Sequence, residues 1–287
     1  MYPNKILAVV VTYNRLELLK RCIKGLQAQT LKDFDILIVN NGSTDGTKEW
    51  IDSLPEDILR IHQGNLGGAG GFYAGQKYGY ENGYEWIWMM DDDGVPDKCQ
   101  LAELMKATEK YNEKIVAPVV VNVDKPDEEA FRPGEKLALP KGDITYSLNF
   151  FVPFNGVMYN RAVMEQIGFV KKELFIYGDE HDYTRRGEIA GFRVCVVLKA
   201  KHFHPVIKTN YYKVFPWSDK YQVALKSAKL SKYYYRNNGY LNRTYSNWKV
   251  IIVEGLLYSF YFMRKFDLKE LSKFLKYYTK GVLQIFD

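Results

Sequence analysis

Cysteine and histidine are scarce in this chain. Its three cysteines, Cys22, Cys99 and Cys195, stand far apart in 287 residues. They form neither a CxxC metal pair nor an even-numbered disulfide set, and they fit a reducing compartment. Long apolar runs are also missing. The most apolar segment, Trp248–Met263, is broken by Lys249 and Glu254, short of the ~20 apolar residues that a membrane-spanning helix needs. Met1–Lys5 leads straight into a short apolar stretch, so no secretory leader is expected. There is no internal repeat and no low-complexity segment. Together these absences point to a cytoplasmic chain that does not cross a membrane but is able to lie on one.

What is present excludes disorder. Hydrophobic residues make up 47% of the chain and aromatics 15%, enough to build a packed core. The formal charge of +6 conceals a division. Residues 208–287 hold 15 basic and 5 acidic residues, a net of +10; residues 1–207 hold 25 and 29, a net of −4. An acidic body (1–207) and a basic, aromatic-rich tail (208–287) predict two different jobs.

The body alternates strand and helix patterns. Ile6–Thr12 and Phe34–Val39 are continuous apolar runs of the kind buried on both faces of a parallel sheet. Leu59–Gln63 and Trp86–Met90 read as further strands. Helical spacing appears over 15–29, 47–54 and 70–82. This βαβαβ order predicts an open α/β sheet. Beyond it, helices are expected at Lys98–Tyr111, Arg161–Ile167 and Asp182–Ala190. Strands are expected at Ile115–Val121, Phe150–Tyr159 and Arg193–Leu198, and a loop over 124–142. From Lys220 onward the pattern reads as helical throughout.

Ligands of open α/β sheets bind at the carboxyl ends of the strands. Here those ends carry Thr12-Tyr13-Asn14-Arg15, Asn40-Asn41-Gly42-Ser43, the glycine-rich Gly64–Gly71 and Asp91-Asp92-Asp93. Each cluster alone is ordinary turn chemistry; four in phase on one sheet edge predict a shared pocket. Three consecutive carboxylates repel one another, and a divalent cation relieves the repulsion. Asp91 and Asp93 would share one side of an extended backbone and hold Mg²⁺ or Mn²⁺, leaving positions for substrate phosphates. The glycine-rich stretch is neither a dinucleotide fingerprint nor a P-loop, but it permits close backbone approach. Asp179 and Glu180 open a helix, where the dipole favours negative charge. Glu180 is the candidate general base. His202 and His204, spaced i and i+2, are candidate metal ligands.

VVVTYNR at 9–15, Gln27–Leu31, VNNGSTDGT at 39–47, the aspartate triplet and Gly178–Tyr183 follow one another in an order that resembles the family 2 inverting glycosyltransferases of GT-A fold. The resemblance covers about the first 205 residues. It implies a Rossmann-like mixed sheet with flanking helices, followed here by a helical C-terminal appendage. It implies transfer of a sugar from a nucleotide-activated donor with inversion. Thr12 and Tyr13 then contact the nucleotide, and Asn14, Arg15, Gly67, Gly68 and Asp92 lie in the same donor-binding clusters. Asn41 stands where the family usually has the Asp that binds the uracil imide, so the base is left open between uracil and thymine. Asp91 and Asp93 match the metal-binding DxD motif, Glu180 the general base and Asp179 its acidic neighbour.

GNLGGAGGF at 64–72, WMMDDDG at 88–94, His204 and Tyr233–Asn238 resemble the bacterial galactofuranosyltransferase branch more closely. That branch implies UDP-galactofuranose as donor, a saccharide or lipid-linked acceptor in surface polysaccharide synthesis such as O-antigen or capsule, and His204 as the residue completing the metal site. The nearest alternative is a rhamnosyltransferase using dTDP-rhamnose; one of another class is a non-catalytic nucleotide-sugar or glycan-binding module. The tail holds 12 of the 23 tyrosines among its basic residues. This mixture suits a helical appendage packed on the body with a solvated basic face, a membrane interface or single-stranded nucleic acid. The resemblance gives nucleic acid no role, so peripheral contact with anionic lipid at the inner face of the cell membrane is expected. Trp217, Tyr235 and Arg236 are candidates to line the acceptor or phosphate region.

Overall fold

All seven residues of Ile6–Thr12 are buried, as a strand covered on both faces requires. In a computed structural model that describes residues 5–131, 134, 136–146, 152–206 and 209–286, this strand, β1, anchors the sheet. The chain divides into two units. One comprises Met1–Lys172 with Tyr183–Ile207, the other Glu173–Asp182 with Lys208–Asp287. Ile207 and Lys208, where the composition shifts, lie outside the described residues.

The elements of the first unit run β1, α1 (Leu16–Gln27), β2 (Asp35–Asn40), α2 (Thr47–Asp52), β3 (Ile58–His62), α3 (Gly67–Glu81), β4 (Trp86–Asp91), β5 (Val95–Pro96), α4 (Gln100–Tyr111), β6 (Ile115–Asn122), β7 (Ile144–Tyr146), β8 (Asn155–Asn160) and α5 (Arg161–Ile167). Helix α6 (Asp179–Ile189) begins in the segment counted with the second unit, and β9 (Val194–His204) closes the first. Among the described residues nine strands form one mixed sheet, ordered β3-β2-β1-β4-β8-β6-β9-β5 with β7 beside β9. β3, β2, β1 and β4 are mutually parallel. The chain turns outward from β1 through β2 to β3, then returns to place β4 on the other side. The switch point therefore lies between β1 and β4, where such sheets open a ligand crevice.

Helix α3 packs on the sheet through glycine. A Cβ on Gly71 would stand 2.4 Å from Val11 Cγ1, on Gly75 2.3 Å from Val9 Cγ1 and on Gly79 2.2 Å from Ile87 Cδ1. These glycines recur every fourth residue, on one helix face. The helix thus begins at Gly67, three residues before the expected start, and takes in glycines expected in a loop.

Three further expectations change. The expected strand over Phe150–Tyr159 is seen as Asn155–Asn160; Phe150 and Phe151 lie outside the described residues. β9 runs eleven residues, past Leu198 to His204, with a register shift against β6 between Pro118 and Val119. His202 and His204 are therefore strand residues. Helix α6 starts at Asp179 rather than Asp182, so the acidic pair forms its first turn.

In the second unit the chain is not helical throughout after Lys220. Tyr211–Lys213 (β10) pairs antiparallel with Gln222–Ala224 (β11). Helices α7 (Ser231–Tyr245), α8 (Trp248–Arg264) and α9 (Leu268–Val282) follow. Their shared core is aromatic: Tyr235, Tyr258, Phe262, Phe274 and Tyr278 are buried together. Tyr258 stacks on Phe274 with ring centroids 4.8 Å apart. Close helix packing again depends on glycine, since a Cβ on Gly281 would fall 1.8 Å from the Arg236 carbonyl oxygen.

Candidate active site

Strand register sets one level for the candidate site. Thr12 lies opposite Asn40, Asn40 opposite His62, and Val11 opposite Asp91. The carboxyl ends of β1, β2, β3 and β4 thus form a common edge.

The triplet does not remain extended. Strand β4 ends at Asp91, and Asp92 and Asp93 form a turn, so the alternation that would put Asp91 and Asp93 on one side stops there. Asp92 is buried and accepts from Thr12 Oγ1 at 2.7 Å and from Arg15 Nη1 at 3.2 Å. Burial pushes its carboxyl up to about 6, against the opposing pull of the Thr12 hydrogen bond and the Arg15 charge. Asp93 accepts from Arg15 Nη1 at 2.7 Å and lies 3.0 Å from His204 Nε2. Burial would raise Asp93, but the hydrogen bonds and charges of His204 and Arg15 outweigh it and hold the carboxyl below its ordinary value. Arg15 is thus a resident counter-charge for the triplet. Burial works against its charged form, and the three aspartates more than compensate.

His204 is oriented from behind. Its Nδ1 lies 2.6 Å from the Pro205 carbonyl oxygen, and Phe131 stacks on the ring at 5.3 Å. A carbonyl oxygen only accepts, so Nδ1 carries the hydrogen and Nε2 points at Asp93. Nε2 then meets the carboxylate either as a second N–H or through a lone pair shared with it around a cation. An imidazole nitrogen beside a carboxylate oxygen is a donor set that suits Mn²⁺ and accommodates Mg²⁺ through its oxygen. Among the described residues, no group of three or more His, Cys, Asp or Glu forms a complete metal-binding cluster. The structure brings Asp93 and His204 together and does not gather Asp91 with them into such a cluster. His202, by contrast, is turned inward. Its Nδ1 pairs with Gln100 Oε1 at 3.1 Å, and burial lowers the ring to about 3.

The other strand ends are held by side-chain bonds. Asn14, in the left-handed region at φ 53°, donates its backbone N–H to Ser43 Oγ and accepts from Thr44 N. Asp45 accepts from the Leu16 and Thr47 amides. Much of the NNGSTDGT segment therefore ties the first two strand ends together. Tyr13 stands exposed at this edge. Asn41 is buried and fully engaged. Its Nδ2 donates to the Gly67 carbonyl at 2.6 Å, while Oδ1 accepts from Gln63 Nε2 at 2.8 Å and Leu66 N at 3.3 Å. Both acceptor positions on Oδ1 are occupied internally, so it is not the open imide acceptor that the resemblance implied. Asn41 instead fixes the entry to α3 at Gly67. Gly68 is half-buried, with open space where a Cβ would stand.

Asp179 and Glu180 belong to the second unit's segment. Asp179 is buried and Glu180 half-buried. Desolvation raises the Glu180 carboxyl above its ordinary value, although its hydrogen bonds to Asp179 and to local backbone pull the other way. One turn on, Asp182 accepts from the Tyr240 hydroxyl at 2.5 Å and the Tyr245 hydroxyl at 2.7 Å.

Tyr235 and Arg236 do not line an open site. Tyr235 is buried and donates to Glu270; Arg236 is buried and donates to the carbonyls of Glu173 and Leu174. Trp217 is 81% exposed. Sequence reasoning passed over Asn237, which donates to the Leu174, Ile176 and Tyr177 carbonyls. Its place in the Tyr233–Asn238 motif was the available signal.

The Glycosyl transferase family 2 model matches residues 7–168. The chain belongs to glycosyltransferase family 2. It is 31% identical over 284 residues to galactofuranosyltransferase GlfT1 of Mycobacterium tuberculosis, covering 91% of this chain and 89% of that one. It is 27% identical to GlfT1 of Mycolicibacterium smegmatis, covering 96% and 95%. Among solved structures, S. aureus TarS 1-349 in complex with UDP-GlcNAc superimposes with a TM-score of 0.58 at 13% identity, over 98% of this chain and 92% of that one. The mannosyltransferase PcManGT of Pyrobaculum calidifontis, in complex with GDP-Man and Mn²⁺, gives 0.52 at 16%, over 72% and 58%. The fold is the GT-A arrangement of these enzymes, and the family 2 chain is a glycosyltransferase.

Proposed function

We propose that this family 2 enzyme is a metal-dependent inverting galactofuranosyltransferase. It moves galactofuranose from UDP-galactofuranose onto a saccharide or lipid-linked acceptor in bacterial surface polysaccharide synthesis. The likeness to the two GlfT1 proteins carries this reading, because it runs through both units and over at least 91% of the chain. Thr12, Tyr13, Asn14, Arg15, Gly67, Gly68 and Asp92 form or frame the donor side, with Asn41 supporting its glycine-rich entry. Asp93 and His204, which lie together, would hold Mn²⁺ or Mg²⁺, with Asp91 as the further ligand that the resemblance implies. When bound, the ion supplies Lewis-acid neutralisation of the departing diphosphate.

The chain's own groups account for the rest. Arg15 keeps Asp92 and Asp93 charged and close without mutual repulsion. Glu180 takes the proton of the acceptor hydroxyl as its oxygen attacks the anomeric carbon. With one base and no protein nucleophile, the displacement is single and the anomeric configuration inverts. Asp179 supports Glu180 as its hydrogen-bonded neighbour. The basic tail places the enzyme against anionic lipid at the inner face of the cell membrane.

UDP release from UDP-galactofuranose with a saccharide acceptor, with and without Mn²⁺, tests this reading. Turnover should require the ion and fall steeply in Asp93→Ala and Glu180→Ala. Full turnover in both variants would refute the mechanism, and turnover only with dTDP-rhamnose would refute the donor.

A further inference from the structure

Helix α8 is apolar on two faces, and only one of them is covered. Tyr258, Tyr261 and Phe262 are buried in the aromatic core of the second unit. On the other side Trp248, Ile252, Leu256 and Phe260 succeed one another at four-residue steps, with Val253 and Met263 beside them. All six are exposed, Trp248 at 66% and Leu256 at 64%. At 100° per residue they form one stripe along the helix, interrupted by Lys249 and Ser259. The exposed apolar surface continues into the following turn, where Phe266 is 90% exposed and Leu268 68%. A helix that is hydrophobic all round is normally buried, and contiguous exposed apolar surface marks a contact site.

The charges around the stripe identify its occupant. Lysine adjoins the exposed apolar residues in sequence: Lys249 after Trp248, Lys265 before Phe266 and Lys269 after Leu268. Of the neighbouring acids, Glu254 and Glu270 are tied up by side-chain bonds, and Asp267, exposed between Phe266 and Leu268, caps α9. Glu254 accepts from the Asn238 amide, Glu270 from the Ser231 and Tyr235 hydroxyls, and Asp267 from the Glu270 backbone N–H. A two-fold contact with a second copy would set like charges against each other, because the same patch faces itself. A surface of anionic lipid headgroups meets both features at once, with lysines at the phosphates and the stripe in the acyl boundary. No helix among the described residues is long and apolar enough to cross a membrane, so the helix lies in the plane.

We propose that the exposed face of α8, with Phe266 and Leu268, is the surface by which this chain docks on an anionic bilayer. The proposal deepens the membrane-face part of the function proposed above and assigns that contact to residues.

Co-sedimentation of the full chain with phosphatidylcholine vesicles, with and without phosphatidylglycerol, tests it. The chain should bind the mixed vesicles, release at high salt, and bind pure phosphatidylcholine weakly. Ile252→Ser with Phe260→Ser should weaken binding to the mixed vesicles on the order of tenfold or more. Both residues are exposed, so circular dichroism and UDP affinity should not change. Lys265→Glu with Lys269→Glu should weaken binding while leaving the apolar stripe intact. Equal vesicle binding by the serine variant and the parent overturns the proposal. So does a concentration-dependent dimer that the serine variant dissolves without lipid. UDP release on a soluble acceptor without vesicles is read separately: its loss in the parent refutes the enzymatic reading, and its persistence with no vesicle binding refutes only this one.

Discussion

The side-chain amide of Asn237 donates to the Tyr177 carbonyl at 2.8 Å, three residues before Glu180. The same group reaches the carbonyls of Leu174 at 2.8 Å and Ile176 at 2.9 Å. Arg236 adds a bond to the Leu174 carbonyl at 3.1 Å and one to Glu173 at 2.6 Å. The segment they hold is unusual: Phe175 and Tyr177 lie in the left-handed region at φ 65° and 71°, followed by Gly178 at 84°. Bulky residues adopt that region only when their surroundings enforce it. The pair therefore positions the start of helix α6. Asn237→Ala takes a donor from the part-buried Ile176 and Tyr177 carbonyls while Leu174 keeps Arg236, a loss of about 1–3 kcal/mol. Hydrogen exchange over 173–180 should rise, and kcat should fall by about 10- to 100-fold, with UDP affinity unchanged. Unaltered exchange in that segment would remove the positioning role.

Glu180 should define the acidic limb of the pH profile. A general base works ionised, and desolvation raises its carboxyl, so activity is lost as pH falls through that raised value. The limb in kcat/KM should therefore lie above the ordinary glutamate value of about 4.3. Glu180→Gln should remove the limb and cut kcat by about 100- to 10,000-fold. A limb that survives in the glutamine variant belongs to another group.

The parallel half of the sheet was legible because β1, β2 and β4 are apolar runs long enough to need cover on both faces. The short β10–β11 hairpin was not, since Tyr211, Tyr212 and Lys213 are exposed and carry no alternation of buried and exposed positions. The acidic triplet was found by its cost, one charge beside another. Its geometry was missed because nothing local marks Asp91 as the last extended residue. Arg15 was read as a ligand contact, and its partnership with Asp92 and Asp93 spans 77 and 78 residues of sequence. Tyr235 and Arg236 are candidates in sequence to line the acceptor or phosphate region because an aromatic, basic motif has the same composition whether it faces a ligand or closes a core.

The glycines of α3 give a packing test. Gly71, Gly75 and Gly79 let the helix approach β1 and β4. Gly75→Ala would place its methyl 2.3 Å from a Val9 side chain that has no exposed surface. Overpacking of this kind costs about 1–3 kcal/mol, or roughly 2–4 °C in Tm per kcal/mol. Calorimetry should show that drop, and adding Val9→Ala should recover part of it. An unchanged Tm in the single variant would mean that the helix shifts freely on the sheet.

Asn41 separates two roles that a single position can take. As an imide acceptor it would be improved by Asp, the residue the family usually has there. In the structure its NH₂ donates to the Gly67 carbonyl at 2.6 Å, and a carboxylate has no hydrogen to offer. Asn41→Asp would set two oxygens face to face in a buried place, costing about 1–3 kcal/mol, and would loosen the entry to α3. Calorimetry should therefore find weaker UDP binding and a lower Tm in the aspartate variant. Tighter UDP binding would return Asn41 to the base-recognition role, because only a direct contact with the imide gains from the added charge.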